Sequence, residues 1–214
     1  MSFVSFVSIV KLPRAFYDRP TLDVARDLLG KVLVHDRRGV VTSGLIVEVE
    51  AYIGESDPAC HAAPGPTRRN EPLYGVPGHA YVYLNYGIHC LMNVVTEAHG
   101  SPAAVLIRAL DPLEGIAVMR RRRARAMKGR RSREDRSALA RHALCRGPGN
   151  LTMAMGITLA ENRVDLLSDR LYLDDRGLGV GDVVWGGRIG IRVGTEHAWR
   201  AWISGHPAVS GRVS

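Results

Sequence analysis

Strand-forming runs in this chain follow one another without the regular interleaving of helices that a doubly wound parallel sheet requires. Lys31 to His35 and Val40 to Ile53 are β-rich and joined by Asp36-Arg37-Arg38-Gly39, which reads as a hairpin. Ala80 to Tyr86 and Ile88 to Thr96 flank Gly87, Ala103 to Ala109 forms another run, and short strands are expected at Leu171 to Leu173, Ile189 to Val193 and Ala198 to Ile203. Such clustering predicts an α+β fold, a curved and mostly antiparallel sheet with peripheral helices. Within Val40 to Ile53 the alternation puts Leu45, Val47 and Val49 on one side and Ile46, Glu48, Glu50 and Tyr52 on the other.

Helices are inserted between these runs. Asp18-Arg19-Pro20-Thr21 opens one with Leu22, Val24, Ala25, Leu28 and Leu29 at helical spacing, closed by Gly30. Pro112-Leu113-Glu114 is expected to begin a second, carrying Ile116, Val118 and Met119. Further helices are read over Ser137 to Leu144 and, after Gly147-Pro148-Gly149-Asn150, over Leu151 to Met155. With 214 residues, 46% of them hydrophobic, and no repeat or linker, the chain reads as one domain over 1–214, with 1–11 as an N-terminal tail and 120–136 as a basic segment. That segment holds ten basic and two acidic residues and carries the whole formal charge of +8; elsewhere 19 basic residues face 19 acidic ones. A single cationic segment on a balanced chain suggests a polyanionic partner.

Several chemistries are excluded by motif. GxxxxGK[ST], a strand-following GxGxxG, HExxH and GxSxG are all missing from the sequence. Cys60, Cys90 and Cys145 give neither a disulfide framework nor paired metal spacing, and the adjacent Cys60-His61 lacks a second pair, so no metal and no cofactor are expected. The apolar start is interrupted by serine and has no basic flank, and no run reaches the roughly 18 apolar residues of a membrane span. A cytoplasmic protein with no membrane partner is expected.

From Gly54 to Gly78 the chain is rich in Pro, Gly, Asp and Asn, a loop of a length that generally serves function. Around it lie Glu50 and Tyr52 on one strand face, His61 in the loop, the run Tyr81-Val82-Tyr83-Leu84-Asn85-Tyr86, then Asn93 and Arg108. A carboxylate, stacking aromatics, an amide and a guanidinium are what a site needs to hold a planar heterocycle and activate water. Each has a plainer reading: tyrosines as half-buried packing, Glu as a solvated face, His61 and Asn93 as loop and turn residues, Arg108 as a surface cation or ion-pair partner.

The order of the residues separates these readings. Val47-Glu48-Val49-Glu50-Ala51-Tyr52-Ile53-Gly54, Asp57-Pro58-Ala59-Cys60-His61, Pro77-Gly78-His79-Ala80-Tyr81-Val82-Tyr83 and Tyr86-Gly87 through Met92-Asn93 closely resemble the alkyladenine (3-methyladenine) DNA glycosylase family. So do Val105-Leu106-Ile107-Arg108-Ala109-Leu110, Pro112-Leu113-Glu114-Gly115 and Leu144-Cys145-Arg146-Gly147-Pro148-Gly149-Asn150-Leu151, and the likeness runs from Leu12 to near Val209. The resemblance implies a monofunctional base-excision enzyme, a monomer acting on double-stranded DNA containing damaged purines. It assigns Glu50 as general base and Arg108 as a group positioning the water or a nearby phosphate. Tyr52, His61, Tyr83 and Asn93 would form the base pocket, with Asn93 crowding the guanine amino group, and Tyr86 would wedge into the duplex. Arg69 and Asn70 would contact phosphate or tether the loop.

The chemistry of these residue types is coherent with that assignment. Tyrosine faces attract a cationic alkylated purine by roughly 0.5–2 kcal/mol, whereas hypoxanthine depends on shape and hydrogen bonds. No lysine stands at the matched pocket positions, so no Schiff-base lyase step is expected. The chain departs from the family pattern at Pro64-Gly65-Pro66-Thr67-Arg68-Arg69-Asn70 and at Leu73-Tyr74, on the loop that would border the DNA. A noncatalytic nucleic-acid-binding domain on the same scaffold and a glycosidase for free nucleosides are the alternatives.

Overall fold

The computed structural model describes residues 10–126 and 139–211. Residues 1–9 of the expected tail and 127–136 of the basic segment lie outside the described residues, as do Ser137 and Ala138 of the helix read from Ser137. What is described is a mixed α+β domain built on an open sheet of nine strands with all pairings antiparallel. In chain order the strands are β1 (Val10–Lys11), β2 (Val32–Arg37), β3 (Val40–Ile53), β4 (Ala80–Asn85), β5 (His89–Val95), β6 (Ala103–Glu114), β7 (Leu171–Asp175), β8 (Val183–Gly186) and β9 (Arg200–Ile203). The helices are α1 (Arg14–Tyr17), α2 (Thr21–Leu28), α3 (Ile116–Ala126) and α4 (Pro148–Met155). In the sheet the order is β1-β7-β2-β3-β6-β5-β4, and β9 pairs with both β3 and β8.

β3 organises the whole. Its first half pairs with β2 from Val40 to Leu45, while Glu48, Val49 and Glu50 pair on β9 with Trp202, Ala201 and Arg200. β6 runs along the other edge, and there the register steps past Val47 on β3 and then past Arg108 on β6. These two facing bulges break the uniform alternation expected for Val40 to Ile53. Ile46 and Val47 both pack in the main core with Val49 and Ala51, and Ile46 does not share the environment of Glu48 and Glu50. Bulges re-aim side chains at functional positions, and here they deliver Arg108 to the two glutamates.

Local chemistry explains the other differences. Pro112 to Glu114 continue β6 and do not open a helix; Pro112 sits opposite Gly44 beside a register shift, a place where a missing N–H is tolerated, and α3 begins only after Gly115 at φ +70°. The last expected helix begins earlier than read, at Pro148, because Pro is preorganised for the first helical position. Of Ser137 to Leu144, the described part is a single 3-10 turn at Arg141–Ala143. Ile189 to Val193 is irregular and not a strand, while β1 and β8, which the sequence did not announce, are short edge pieces. α2 buries Thr21, Val24, Ala25 and Leu28, one face at helical spacing. A second, smaller core of Cys60, Ala62, Leu73, Tyr81, Val95 and Ala104 lies beneath the 54–78 loop, with Tyr52, Tyr74 and Tyr83 packed on it. No helix among the described residues is long and apolar enough to cross a membrane.

Candidate active site

Above that second core opens a cavity of about 360 Å³, whose lining includes Glu50, Tyr52, His61, Tyr83, Tyr86, Asn93 and Arg108. The sheet brings together residues that are far apart in sequence: Asn93 stands opposite Leu106 and Tyr81 opposite Asn93, so β4, β5 and β6 carry their side chains to one face.

Glu50 is fully buried and held at both oxygens. The Ile189 amide donates to Oε1 at 2.6 Å, the Tyr52 hydroxyl to Oε2 at 2.9 Å, and Arg108 Nη1 lies 3.1 Å from Oε2. Burial, followed by the Glu50 charge, pushes the Tyr52 phenol well above its ordinary value, so it remains a hydrogen donor. Arg108 is in turn fixed by Glu48, whose Oε1 accepts from Arg108 Nε and Arg200 Nε, both at 2.8 Å, and by Ser210 Oγ at 3.1 Å from its Nη2. Burial alone would weaken its hold on the proton, but Glu50 and Glu48 outweigh it and raise the Arg108 pKa. So placed, Arg108 is buried, faces Glu50 and lines the cavity.

His61 packs edge-on against Tyr83 with ring centroids 4.4 Å apart, and its Nδ1 lies 2.9 Å from the Tyr81 hydroxyl. Burial and the nearby Arg69 lower its pKa, which leaves a neutral imidazole at neutral pH. Burial raises Tyr81 to about 12 and Cys60 to about 11, so the phenol and the thiol stay protonated. Asn93 donates Nδ2 to the Tyr81 carbonyl at 3.0 Å, which fixes the amide in the wall. Tyr86 stands at the β4–β5 turn, 88% exposed.

Asn70 is buried and tethers the loop: Nδ2 donates to the carbonyls of His61 and Gly65 at 2.7 and 2.9 Å, and Oδ1 accepts the Thr67 amide at 2.6 Å. Those bonds occupy its side chain within the loop. Arg69 is exposed, with its guanidinium 5.8 Å from the Tyr83 ring centroid.

The sequence reading missed the group behind the pocket. Arg188 makes a two-pronged ion pair with Asp57, Nη1 to Oδ2 at 2.5 Å and Nη2 to Oδ1 at 2.8 Å, and donates to the carbonyls of Ala51 and Gly194. Its guanidinium lies 4.7 Å from the Tyr52 ring and 5.1 Å from the Trp199 ring. Burial would raise Asp57, but hydrogen bonds from Arg188, Ala59 and Ile53 bring it below the usual range. The cluster fixes Ile189, the next residue, whose amide reaches Glu50. Gly194 is needed there: at φ +64° a Cβ would come within 3.0 Å of Arg188 Nη2.

An aromatic cavity walled in part by a carboxylate with both oxygens oriented, on an open antiparallel sheet, has the groups that hydrolysis beside a planar heterocycle requires. The sequence profile of the methylpurine-DNA glycosylase (MPG) family matches residues 15–207. A protein of Methanocella arvoryzae is 48% identical over 205 residues, covering 94% of this chain and 96% of its own. One of Clostridium acetobutylicum is 44% identical, covering 94% and 98%, and one of Burkholderia lata 45% identical, covering 95% and 92%. All three carry the provisional name 3-methyladenine DNA glycosylase. The chain belongs to the methylpurine-DNA glycosylase family, which makes it a DNA glycosylase, a hydrolase of the N-glycosyl bond.

Proposed function

We propose that the protein flips damaged purines out of duplex DNA and hydrolyses their N-glycosidic bond by water that Glu50 deprotonates. The substrates are of the 3-methyladenine, 7-methylguanine, hypoxanthine and ethenoadenine class. The observation that carries this reading is the Glu50 carboxylate, oriented by the Ile189 amide, Tyr52 and Arg108 at the wall of an aromatic cavity. As the base departs with the bonding electrons, the ionised Glu50 carboxylate offsets the positive charge developing on the sugar; water then attacks C1′ and Glu50 accepts its proton, leaving the sugar hydroxylated and Glu50 neutral until it returns the proton to solvent.

In this reading Tyr52, His61 and Tyr83 enclose the base, Asn93 crowds the guanine amino group, Tyr86 fills the gap left in the stack, and Arg69 meets phosphate. The product is an abasic site with an uncut backbone: among the described residues no lysine lines the cavity to form a Schiff base. The enzyme works as a monomer on DNA in the cytoplasm and requires no cofactor or metal.

The test uses duplexes each holding one lesion and measures released base at saturating enzyme. Wild type is expected to release base, and Glu50→Gln to lose about 10²–10⁴-fold in rate, the range of general base catalysis, while still binding lesion DNA. Undiminished release by Glu50→Gln would overturn the mechanism, and binding without release by wild type would favour a binding module.

A further inference from the structure

Tyrosine faces were expected to draw cationic purines, yet two of the pocket tyrosines already carry a guanidinium. Arg188 lies 4.7 Å from the Tyr52 ring centroid and Arg69 5.8 Å from that of Tyr83. Arg188 and Trp199 stand outside the lining of the cavity, whereas Tyr52 lines it, so the Arg188 stack lies behind the Tyr52 ring as seen by a bound base. The negative potential of a ring face is what attracts a cation. A guanidinium on one face offsets that potential, although its two-pronged pair with Asp57 cancels most of the net charge felt farther away.

The rest of the site does not restore an attraction for cations. Glu48, Glu50 and Asp57 are matched by Arg108, Arg200 and Arg188 through direct ion pairs. His61, against Tyr83, is held neutral and adds no charge of its own.

From this geometry we infer that Arg188, buried behind Tyr52, is a specificity-determining residue that biases the pocket away from cationic alkylated purines and toward neutral lesions. The inference rests on the base-excision reading above. Alkylation at N7 or N3 already weakens the glycosidic bond, so cationic lesions need less from the pocket. Hypoxanthine and ethenoadenine, poorer leaving groups, gain most from a stack that does not discriminate against neutral bases.

The experiment compares single-turnover release of 7-methylguanine, cationic, and hypoxanthine, neutral, from otherwise identical duplexes at saturating enzyme. The readout is the ratio of the two rates. Arg188→Met removes the charge and should raise the cationic-to-neutral ratio about tenfold; Asp57→Asn leaves Arg188 less compensated and should lower it about threefold. Arg69→Ala, at an exposed position that tolerates substitution, should raise the ratio about twofold. Where Arg188→Met does not fold, Arg188→Gln, which removes the charge and keeps donors for Asp57 and the Ala51 carbonyl, carries the same test.

Ratios that move in these opposite directions support the inference. Equal loss of both rates at a constant ratio would show that Arg188 and Asp57 only hold the loop, and would overturn it, as would shifts of reversed sign. A wild-type enzyme that releases neither base refutes the base-excision reading itself and this inference with it. Release by wild type with an unmoved ratio in the variants refutes only the inference.

Discussion

Tyr52 donates its phenolic hydrogen to Glu50 Oε2 at 2.9 Å from two residues along the same strand face. The bond joins the Tyr52 ring to the carboxylate proposed to activate water, so in that reading the ring that meets the base also orients the general base. Tyr52→Phe keeps the ring and removes the donor. Hydrogen bonds to charged groups contribute about 1.5–3 kcal/mol, part of it shared by ground and transition states, so about a tenfold fall in single-turnover rate is expected with lesion-DNA affinity within about twofold of wild type. Rates at saturating enzyme alongside equilibrium titration check it, and an unchanged rate would remove Tyr52 from the orientation of Glu50.

Glu48 gathers four donors, Arg108 Nε, Arg200 Nε, the Ser210 hydroxyl and the Ser210 amide, while fully buried. It ties β3, β6, β9 and the chain's C-terminal end together. Glu48→Gln keeps the shape but leaves two buried guanidiniums short of a negative partner. Breaking a buried pair costs about 3–5 kcal/mol, so a comparable loss of unfolding free energy is expected in denaturant titrations. A loss below about 1 kcal/mol, the range of exposed pairs, would show that water reaches this cluster.

Legibility divides along the line between local and long-range chemistry. The α+β class, the hairpins around Gly39 and Gly87, and the residues Glu50, Tyr52, His61, Tyr83, Tyr86, Asn93 and Arg108 could all be read from strand pattern and motif order. Glu48 was in view too, on the same strand face as Glu50, but a glutamate alternating along a strand reads as solvated until its partners are known. Those partners, Arg200 and Ser210, are about 150 residues away in sequence, and no spacing rule links them. Arg188 had no signal at all: it follows two glycines just before Ile189 to Val193, which resembles a strand and is in fact irregular, and its partners Asp57, Ala51 and Gly194 are brought to it only by the fold. The paired bulges at Val47 and Arg108 were likewise invisible, since they exist only in the register of β3 on β6.

Buried His35 and half-buried His61 give stability a definite pH dependence. Burial lowers the pKa of His35, beneath the Met155 carbonyl, and of His61, beside Arg69. A histidine whose folded pKa lies below its unfolded value of about 6.5 binds fewer protons folded than unfolded, so its contribution is complete above that pH and is lost as pH falls below it. Unfolding free energy should therefore begin to drop below about pH 6.5, before the separate carboxylate limb from Asp57 and Glu161, both held low, sets in near pH 4. His61→Asn should flatten the upper part of that decline in denaturant titrations at a series of pH values. An identical slope in wild type and variant would contradict the assignment.

Tyr86 occupies φ +49° next to Gly87 at φ +69°, in a turn closed by the Ile88 amide donating to the Asn85 carbonyl at 3.0 Å. A left-handed backbone disfavours a bulky aromatic, and Tyr86 is 88% exposed, so it gains almost no packing in the free protein to offset that conformation. Its neighbours Ile88 and Leu84 are exposed as well, which makes the tip apolar where a turn would ordinarily be polar. Strain kept without a packing return is consistent with a residue whose contacts form only on DNA. Tyr86→Asn, suited to positive φ, should raise unfolding stability by about 0.5–1 kcal/mol. It should at the same time slow base release from duplex DNA about 10- to 100-fold, because the unstacked gap is no longer filled. Release from a single strand carrying the same lesion should change little, since there is no stack to wedge open. Parallel losses on duplex and single strand would instead place Tyr86 in the base pocket and not in the duplex.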